Sequence, residues 1–511
     1  MTRYFLGRFI RSIFSILAVV AIAITLIYSL IPRDRVFAQD PQMSKLAGKP
    51  DDLTSYKYTR WEELGYLDYQ SHADLCKAFS DDYNSCMSFE THESKNELGK
   101  TIYSYTYSEE ANKVKAAAEK AGYTVEYYKS GFMYAAKDYN PLEITWHFVS
   151  NMFQVDHPWK VQDQDNPNLE RKIIFGTDNE GIPAIKCSGC EHQYLIYFDG
   201  SFPFIHQNVL TLDFGRSFPT YSGASTVDVI SNGQGQYVQK DVTFDNGTTS
   251  KSSLNLHTCQ YKPTSTLDRM DKQRFETNYA KCNNYMTEKS MTGMSYTFGI
   301  ISLILAYVIA LPAGIIMAQK KDKWQDKLGM VYINLMIAVP SLAFIYFVRF
   351  IGTFFALPAK FPTYGGQDLR SYVLPVVILG LLSTSGTMIW MRRYMVDQSN
   401  ADYVKFAKAK GLSQGEIFRK HILKNAIIPI VNGIPASVVL CITGSVITES
   451  VFSIPGMGKM LPDAISSNNN AMIVTLTFIF TSLSIFSLLL GDILMTFVDP
   501  RIQLSSKGET R

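Results

Sequence analysis

Two short stretches of the sequence carry residue types that could bind a metal ion or a nucleotide. The stretch CSGCEH (187–192) has a Cys-x-x-Cys pair followed by a histidine, which is the chemistry of zinc and redox sites. No second pair of close ligands follows, so a structural disulfide or two ordinary cysteines is the favoured interpretation, and no metal site is predicted. The stretch SKNELGKT (94–101) has a serine where a phosphate-binding loop needs its first glycine. We therefore expect no cofactor and no ATP site in this chain.

The other cysteines and the histidines indicate a cross-linked region rather than a catalytic one. Six of the seven cysteines lie between 76 and 282, and local disulfides Cys76–Cys86 and Cys259–Cys282 are the simplest pairing. Cys441 lies in an apolar stretch and is expected to pack as a small apolar side chain. The histidines are scattered, and no serine, histidine and aspartate set with a recognisable local signature is present. These features predict that the chain is not an enzyme.

Six apolar segments determine where all of these residues lie. Each supplies about 20 residues or more, which is enough to cross a hydrocarbon core about 30 Å thick. Arg33, Asp34 and Arg35 follow the first segment at once, which favours an uncleaved membrane anchor over a signal peptide. We predict an α-helical polytopic membrane protein with six transmembrane helices, at 11–31, 293–318, 329–353, 371–391, 426–448 and 471–498.

The lysines and arginines predict the orientation of these spans. Three arginines lie close to the start of the first span, four lysines follow the second, and eight basic residues lie in and around the loop 392–425. Basic loops favour the cytoplasmic side, so both termini are predicted to be cytoplasmic, and no nucleic-acid partner is expected. The hairpin signal FDNGTTS, with Asn246-Gly247 at its tip, indicates that the large polar region is a mixed α/β domain. The predicted parts are 1–31 (first span), 32–292 (extracellular domain), 293–498 (spans two to six with the cytoplasmic loop 392–425) and 499–511 (cytoplasmic tail).

The basic segment ADYVKFAKAKGLSQGEIFRKHILKNAIIPI (401–430) has the pattern of two short helices. Ser399 or Asn400 is expected to cap the first helix, and Gly411 to end it. A capping box, Ser413 with Glu416, starts the second helix. The apolar positions are Tyr403, Phe406 and Ala407 in the first helix, and Ile417, Phe418 and Ile422 in the second. Two interpretations remain open: an amphipathic pair resting on membrane lipid, or a rigid elbow (401–425) that docks into a groove on a cytoplasmic partner.

The motif Tyr403-Val404-x-x-Ala407-x-Ala409-Lys410-Gly411-Leu412, followed by His421-x-x-x-Asn425-Ala426-x-x-Pro429, resembles the coupling loop of binding-protein-dependent ABC importers. Lys405-Phe406-Ala407 replaces the general Glu-Ala-Ala pattern, a departure typical of the oligopeptide and dipeptide branch. Three further stretches resemble that branch, which are LDFGRS (212–217), ESVFSIPGMGKMLPDAI (449–465) and DPRI (499–502). The large polar insertion is similar to that of Gram-positive members.

This resemblance implies a permease subunit in the plasma membrane of a Gram-positive bacterium. The partners would be a second permease subunit, two cytoplasmic ATPases that bind ATP and Mg, and a lipid-anchored peptide-binding protein, with oligopeptides as substrate. The residues that would couple to the ATPases are Tyr403, Val404, Ala407, Ala409, Lys410, Gly411, Leu412 and Glu416. Ala407 and Ala409 would allow close approach to the groove.

Two acidic residues near the spans are candidates for the pore or its gate. Asp492 lies inside the sixth predicted span, where a charge is costly, and it could pair with Arg392 or Arg393 or line the inner pore. Glu449, beside Pro455 and Gly456 of the SIPGMG turn, could belong to an external gate or cap a helix end. Arg349 is expected to reach the membrane surface. The alternative function is a membrane sensory receptor with an extracellular ligand-binding domain.

Overall fold

The computed structural model describes residues 2–95, 101–200, 204–363, 365–366, 368–441 and 446–498. Most of the phosphate-loop-like stretch, the DPRI motif and the predicted tail 499–511 lie outside the described residues. The helices are α1 Thr2–Leu30, α2 Pro41–Leu46, α3 Pro50–Glu63, α4 His72–Phe79, α5 Tyr83–Met87, α6 Glu109–Lys120, α7 Pro141–Met152, α8 Thr226–Ser231, α9 Arg269–Arg274, α10 Met291–Gln319, α11 Trp324–Ala338, α12 Ser341–Phe354, α13 Arg370–Ser399, α14 Asp402–Ala409, α15 Gln414–Glu416, α16 Lys424–Ala426, α17 Ile428–Leu440, α18 Val446–Phe452, α19 Met457–Ser466 and α20 Asn470–Val498. A π-helical segment, Ile417–Leu423, joins α15 to α16.

Four of these helices, α1, α10, α13 and α20, are long and apolar enough to cross a membrane. Two bent pairs bring the number of candidate spans to as many as six, namely α11 with α12 (109°) and the segment Gln414–Ala426 with α17 (42°). The prediction of one continuous helix at 329–353 is therefore wrong. Pro340 has no N–H to donate and favours an extended residue before it, so the helix ends at Ala338, Val339 is extended, and α12 starts at Ser341. In the segment 426–448, α17 ends at Leu440, and 442–445 lie outside the described residues.

The membrane helices pack through small side chains. Gly314 of α10 lies against Met388 and Met391 of α13, where an added Cβ would come within 2.9–3.2 Å of their atoms. Ala310 and Ala306, one and two turns earlier, are also buried. Small residues at such spacing allow two helices to approach closely in lipid, where no hydrophobic effect drives them together. The helices α10 and α13 thus form the central pair of the membrane region. Helix α1 packs against α20.

Residues between α1 and α10 form the predicted mixed α/β region. Asn246 and Gly247 connect β13 to β14, as the hairpin signal predicts, and α6 is followed by Gly122 and β4. The strands are β1 Leu67–Gln70, β2 Phe89–Lys95, β3 Thr101–Tyr107, β4 Thr124–Tyr127, β5 Met133–Asp138, β6 Phe153–Val155, β7 Lys172–Thr177, β8 Pro183–Ser188, β9 Tyr194–Phe198, β10 Ile205–Gln207, β11 Leu210–Leu212, β12 Gln234–Tyr237, β13 Lys240–Thr243, β14 Thr249–Ser252 and β15 Met286–Glu288. They form antiparallel sheets in the orders β1-β5-β4 and β10-β9-β8-β7, and the pairs β2-β3, β6-β11, β12-β15 and β13-β14.

The structure contains both expected disulfides, Cys76–Cys86 and Cys259–Cys282. A third disulfide joins Cys187 to Cys190, so the Cys-x-x-Cys pair has no free thiolate for a metal. His192 instead lies 3.1 Å (Nδ1 to Oδ2) from Asp156. Burial raises the pKa of Asp156, but hydrogen bonds from His192 and from two backbone N–H groups outweigh it, so this pKa lies below its ordinary value. The cysteines and the histidine of CSGCEH therefore stabilise the fold.

Candidate functional site

The elbow consists of two arms joined at Gly411. The first arm, α14, ends as the backbone enters the left-handed region at Gly411, where φ is +77°. Ser413 starts the second arm by accepting a hydrogen bond from the Glu416 N–H, as the capping box predicts. The predicted cap of the first arm is wrong. Ser399 is the last residue of α13 and Asn400 caps the end of that helix, so neither can start α14. Ala401 holds the cap position and has no side-chain acceptor.

The inner face of the elbow packs against its own chain. Val404 and Ala407 are buried in an apolar cluster with Met391 and Met395 of α13 and with Ile417, Ile422 and Ala426 of the second arm. The Tyr403 hydroxyl donates to Gln398 Oε1 at 2.6 Å, which ties α14 to the end of α13. Glu416 remains near the hinge and lies 3.4 Å from Lys420. These contacts make the elbow one unit with the C-terminal end of α13.

The outer face of the elbow carries only some of the residues expected to couple, because Val404 and Ala407 are buried. Ala407 was expected on the docking surface and lies instead in the buried cluster, because helix α14 turns Val404 and Ala407 towards α13. Phe406 is turned away from them and is 70% exposed. Ala409, Lys410 and Lys408 are exposed on the same short helix, whereas Leu412 packs partly against the inner cluster. The helical spacing alone groups Phe406 with Ala407 on one face. It therefore does not reveal that the Phe406 ring is exposed on the outer face.

At the opposite end of α10, Glu449 holds the SIPGMG turn. This carboxylate is only 2% exposed. Its Oε1 accepts from Ser295 Oγ at 2.7 Å, and its Oε2 accepts from the Lys459 backbone N–H at 2.9 Å. Gly456 is required in the turn, because a Cβ there would come within 2.5 Å of the Glu449 carboxyl group. The three candidates Glu449, Pro455 and Gly456 are therefore brought together by geometry.

The same turn contacts two other parts of the molecule. Ser295 Oγ also accepts from the Met457 N–H at 2.8 Å, which fastens the turn to the start of α10. The Pro455 carbonyl accepts from Gln234 of β12 at 3.4 Å, which connects the turn to the mixed α/β region. Below the turn, a cavity of about 420 Å³ lies between α10, α13 and α17. Its polar lining consists mostly of hydroxyl groups, from Ser295, Ser302, Tyr307, Ser383, Thr387 and Ser437.

The charged residues of the spans pair differently from the prediction. Asp492 forms an ion pair with Arg8 of α1, so the expected pairing with Arg392 or Arg393 is wrong. Arg392 instead binds Asp326 of α11 through two hydrogen bonds, at 2.6 and 2.7 Å. In both ion pairs the arginine and the aspartate lie on helices that are distant in sequence. Spacing along the chain therefore cannot reveal either pair. Arg349 donates to the Val451 carbonyl at 3.3 Å rather than only reaching for the membrane surface.

Comparisons with known proteins agree with this architecture. Residues 310–504 match the family model of the binding-protein-dependent transport system inner membrane component. The chain is 42% identical to the oligopeptide transport system permease protein AmiC of Streptococcus pneumoniae, over 99% of this chain and 100% of that one. It is 31% identical to the dipeptide transport system permease protein DppB of Bacillus subtilis, over 44% of this chain and 72% of that one. An inward-facing MetNI methionine ABC transporter aligns with 41% of this chain and 94% of its own, at a TM-score of 0.34 and 14% identity.

These relatives offer no support for the sensory-receptor alternative. The two permeases named above are peptide permeases by name, and the family match begins within α10, at residue 310, and includes the elbow and the Glu449 turn. The full-length similarity also includes the mixed α/β region between α1 and α10. The chain belongs to the family of membrane permease subunits of binding-protein-dependent peptide transport systems.

Proposed function

We propose that this chain is one of two membrane-spanning subunits of an ATP-driven oligopeptide importer. The observation that supports this most directly is the division of the elbow into two faces. Its inner face packs on α13, while Phe406, Ala409 and Lys410 on its outer face are exposed. A loop that only connected two spans would need no such unit. A rigid helix with an exposed apolar anchor is suited to a groove on another protein.

The partner at this surface is one of two cytoplasmic ATPases, which supply the ATP and Mg that this chain does not bind. Closure of the ATPases moves the elbow, and the cluster around Val404 and Ala407 passes that movement to α13. Gly411 sets the angle between the arms, while contacts of Tyr403, Leu412 and Glu416 hold the two arms in their conformation. Nucleotide binding below thus biases the membrane helices between two arrangements, because each arrangement binds the closed and open ATPases differently.

The proposed topology has six spans, with each bent helix pair counted as one. Both termini lie in the cytoplasm of a Gram-positive bacterium, and the region 32–292 lies outside as an inserted domain. The basic loops support this orientation. The three disulfides support it as well, because disulfides persist in oxidising compartments and are rare in the cytoplasm.

The inserted domain is proposed to receive a lipid-anchored peptide-binding protein and to guide peptides to the pore. Its direct hydrogen bonds to the outer ends of the membrane helices support this role. Gln234 contacts the Glu449 turn, and Ser217 accepts from Asn469 Nδ2, next to the start of α20, at 2.7 Å. The alternative is a purely structural cover. Loss of uptake after deletion of 45–205, with subunit assembly intact, would support the receiving role, and unchanged uptake would exclude it.

The Glu449 turn is proposed as part of the external gate, above a peptide path that includes the hydroxyl-lined cavity. Uncharged hydroxyl groups can hydrogen-bond any peptide backbone without selecting side chains, which suits a pore that passes varied sequences.

The test is to purify the tagged chain gently from native membranes and to identify the proteins that accompany it. A second permease subunit and two ATPases should co-purify. A strain without this chain should lose uptake of a labelled oligopeptide and should regain it when the chain is restored. Purification of the chain alone, together with unchanged uptake in the deletion strain, would contradict the proposed function.

A further inference from the structure

Helix α7 and the strand pair β6-β11 form an apolar surface that nothing in the described chain covers. On α7, Leu142 is 78% and Trp146 is 71% exposed. The helix continues directly into β6, where Phe153 and Val155 are exposed, and Leu210 is exposed opposite Val155 on β11. Large apolar side chains that are contiguous and exposed are typical of a binding surface.

The distribution of residues around α7 is that of a helix at a boundary between three environments. With about 100° between successive residues, α7 presents three faces roughly 120° apart. Ile144, Phe148 and Met152 face the protein. Glu143, His147 and Ser150 form an exposed polar face. Leu142 and Trp146 are exposed on the apolar face, where Val149 is half-buried.

The strand pair β6-β11 is also amphipathic. Phe153 and Val155 alternate with Gln154 along β6, and their partners Leu212 and Leu210 alternate with Thr211 along β11. Because successive residues of a strand point to opposite faces, one face of the pair is apolar and the other is polar. Gln154 hydrogen-bonds Asp213 and Lys160, so the polar face is held by further polar groups.

The position of α7 against the membrane spans identifies what covers this surface. Ile144 belongs to a buried cluster with Ile24 of α1 and Val474 of α20. Phe148 contacts Phe214, and Phe214 contacts Phe478, with ring centroids 6.1 and 4.9 Å apart. Phe478 lies eight residues after the start of α20, which at 1.5 Å per residue is about 12 Å along that helix. The helix α7 therefore lies level with the outer part of the spans, where lipid surrounds the chain.

We propose that α7 and the β6-β11 pair lie in the adjoining lipid leaflet, at the boundary between headgroups and acyl chains, and seat the mixed α/β region on the membrane beside α1. Leu142, Trp146, Phe153 and Val155 enter the acyl region, while Glu143, Ser150 and Gln154 stay in water. An amphipathic helix with an exposed tryptophan is suited to this position. The neighbouring helix α1 also exposes apolar side chains, Ile22, Leu26 and Leu30, in one stripe. This attachment is additional to the proposed transport function and holds whichever solute is carried.

Photocrosslinking in the assembled complex tests this proposal. A benzophenone amino acid is introduced at Trp146 or Phe153, with matched controls at the exposed Ser150 of α7 and at the half-buried Gln154 on the polar face of β6. After illumination in lipid nanodiscs, the first two positions should form lipid adducts several-fold more often than the controls. Adducts of Trp146 and Phe153 with another protein chain, or equal lipid labelling at all four positions, would overturn the proposal.

Fluorescence provides a second measurement that does not depend on the bulky label. Quenching of tryptophan emission by lipids brominated near the headgroup end of the acyl chain should decrease in Trp146→Phe. The matched variant Trp61→Phe, which removes a buried tryptophan of the same region, should leave the quenching unchanged. Unchanged quenching in Trp146→Phe would place this side chain away from lipid and overturn the proposal.

Discussion

The elbow and the Glu449 turn lie near opposite ends of α10 and α13 and are built in opposite ways. The Glu449 turn buries a carboxylate and fills its acceptor sites with Ser295 Oγ and a backbone N–H. The elbow is packed on one face only and leaves Phe406 exposed on the other. A closed site holds its own backbone in place, whereas an open one needs another molecule to complete it. Changes at the turn should therefore act on stability, and changes on the outer elbow should act on assembly.

The largest loss of stability is expected when the buried ion pair of the spans is broken. Arg392→Ala leaves Asp326, whose side chain is only 4% exposed, without its cation. Loss of one partner of a buried pair costs about 3–5 kcal/mol. Lys405→Ala is the matched control, because its ion pair with Asp402 is exposed on the elbow and contributes little to stability. The apparent melting temperature of the purified protein should fall much further in the first variant, and equal falls would contradict this.

Replacing the two glutamates by glutamine compares the turn with the elbow directly. Glu449→Gln replaces one buried acceptor oxygen by an NH₂ group and should cost on the order of 2 kcal/mol. Glu416→Gln alters an exposed carboxylate that also contacts a serine, Ser413, and should leave the stability almost unchanged. Thermal unfolding of both variants provides the measurement. A larger loss at Glu416 would reverse the proposed contrast between the two sites.

The two exposed glycines of the elbow should respond to alanine with opposite signs. A Cβ would meet no atom within 4 Å at Gly411 or at Gly415, so sterics with neighbours do not distinguish them. Gly411→Ala forces a side chain into φ near +77° and should cost about 1 kcal/mol. Gly415→Ala lies within α15 and should stabilise the helix by roughly 0.5 kcal/mol. Peptide uptake should fall only in the Gly411 variant, and equal behaviour of the two would remove Gly411 as the hinge.

Local patterns in the sequence were sufficient for features that involve neighbours along the chain. The left-handed turn at Gly411, the Ser413 cap, the Asn246-Gly247 hairpin and the two local disulfides are all of this kind. Pairings between distant helices could not be predicted, because nothing in the spacing of Asp492 and Arg392 shows that Arg8 and Asp326 lie beside them. The break at Pro340 was missed because many membrane helices tolerate proline when neighbouring groups satisfy the backbone.

The sequence did not show which face of α14 is buried, because a small rotation of this short helix changes which residues face α13. In α14 the apolar residues Tyr403, Val404, Phe406 and Ala407 cover more than one face, so periodicity alone cannot decide which of them is buried. The choice is made by the cluster on α13, which accepts Val404 and Ala407 and leaves Phe406 outside. A partner surface is therefore visible only after the chain has folded.

The central claim is that the two faces of α14 have separate tasks, and a pair of truncations tests it most directly. Phe406→Ala and Val404→Ala are each expressed with the partner ATPases, and both thermal stability and ATPase retention during purification are measured. Phe406→Ala should keep the wild-type melting temperature and lose the ATPases, because its side chain is 70% exposed. Val404→Ala should lower the melting temperature through a cavity cost of about 1–2 kcal/mol. Full retention of the ATPases and normal peptide uptake in the Phe406 variant would contradict the account.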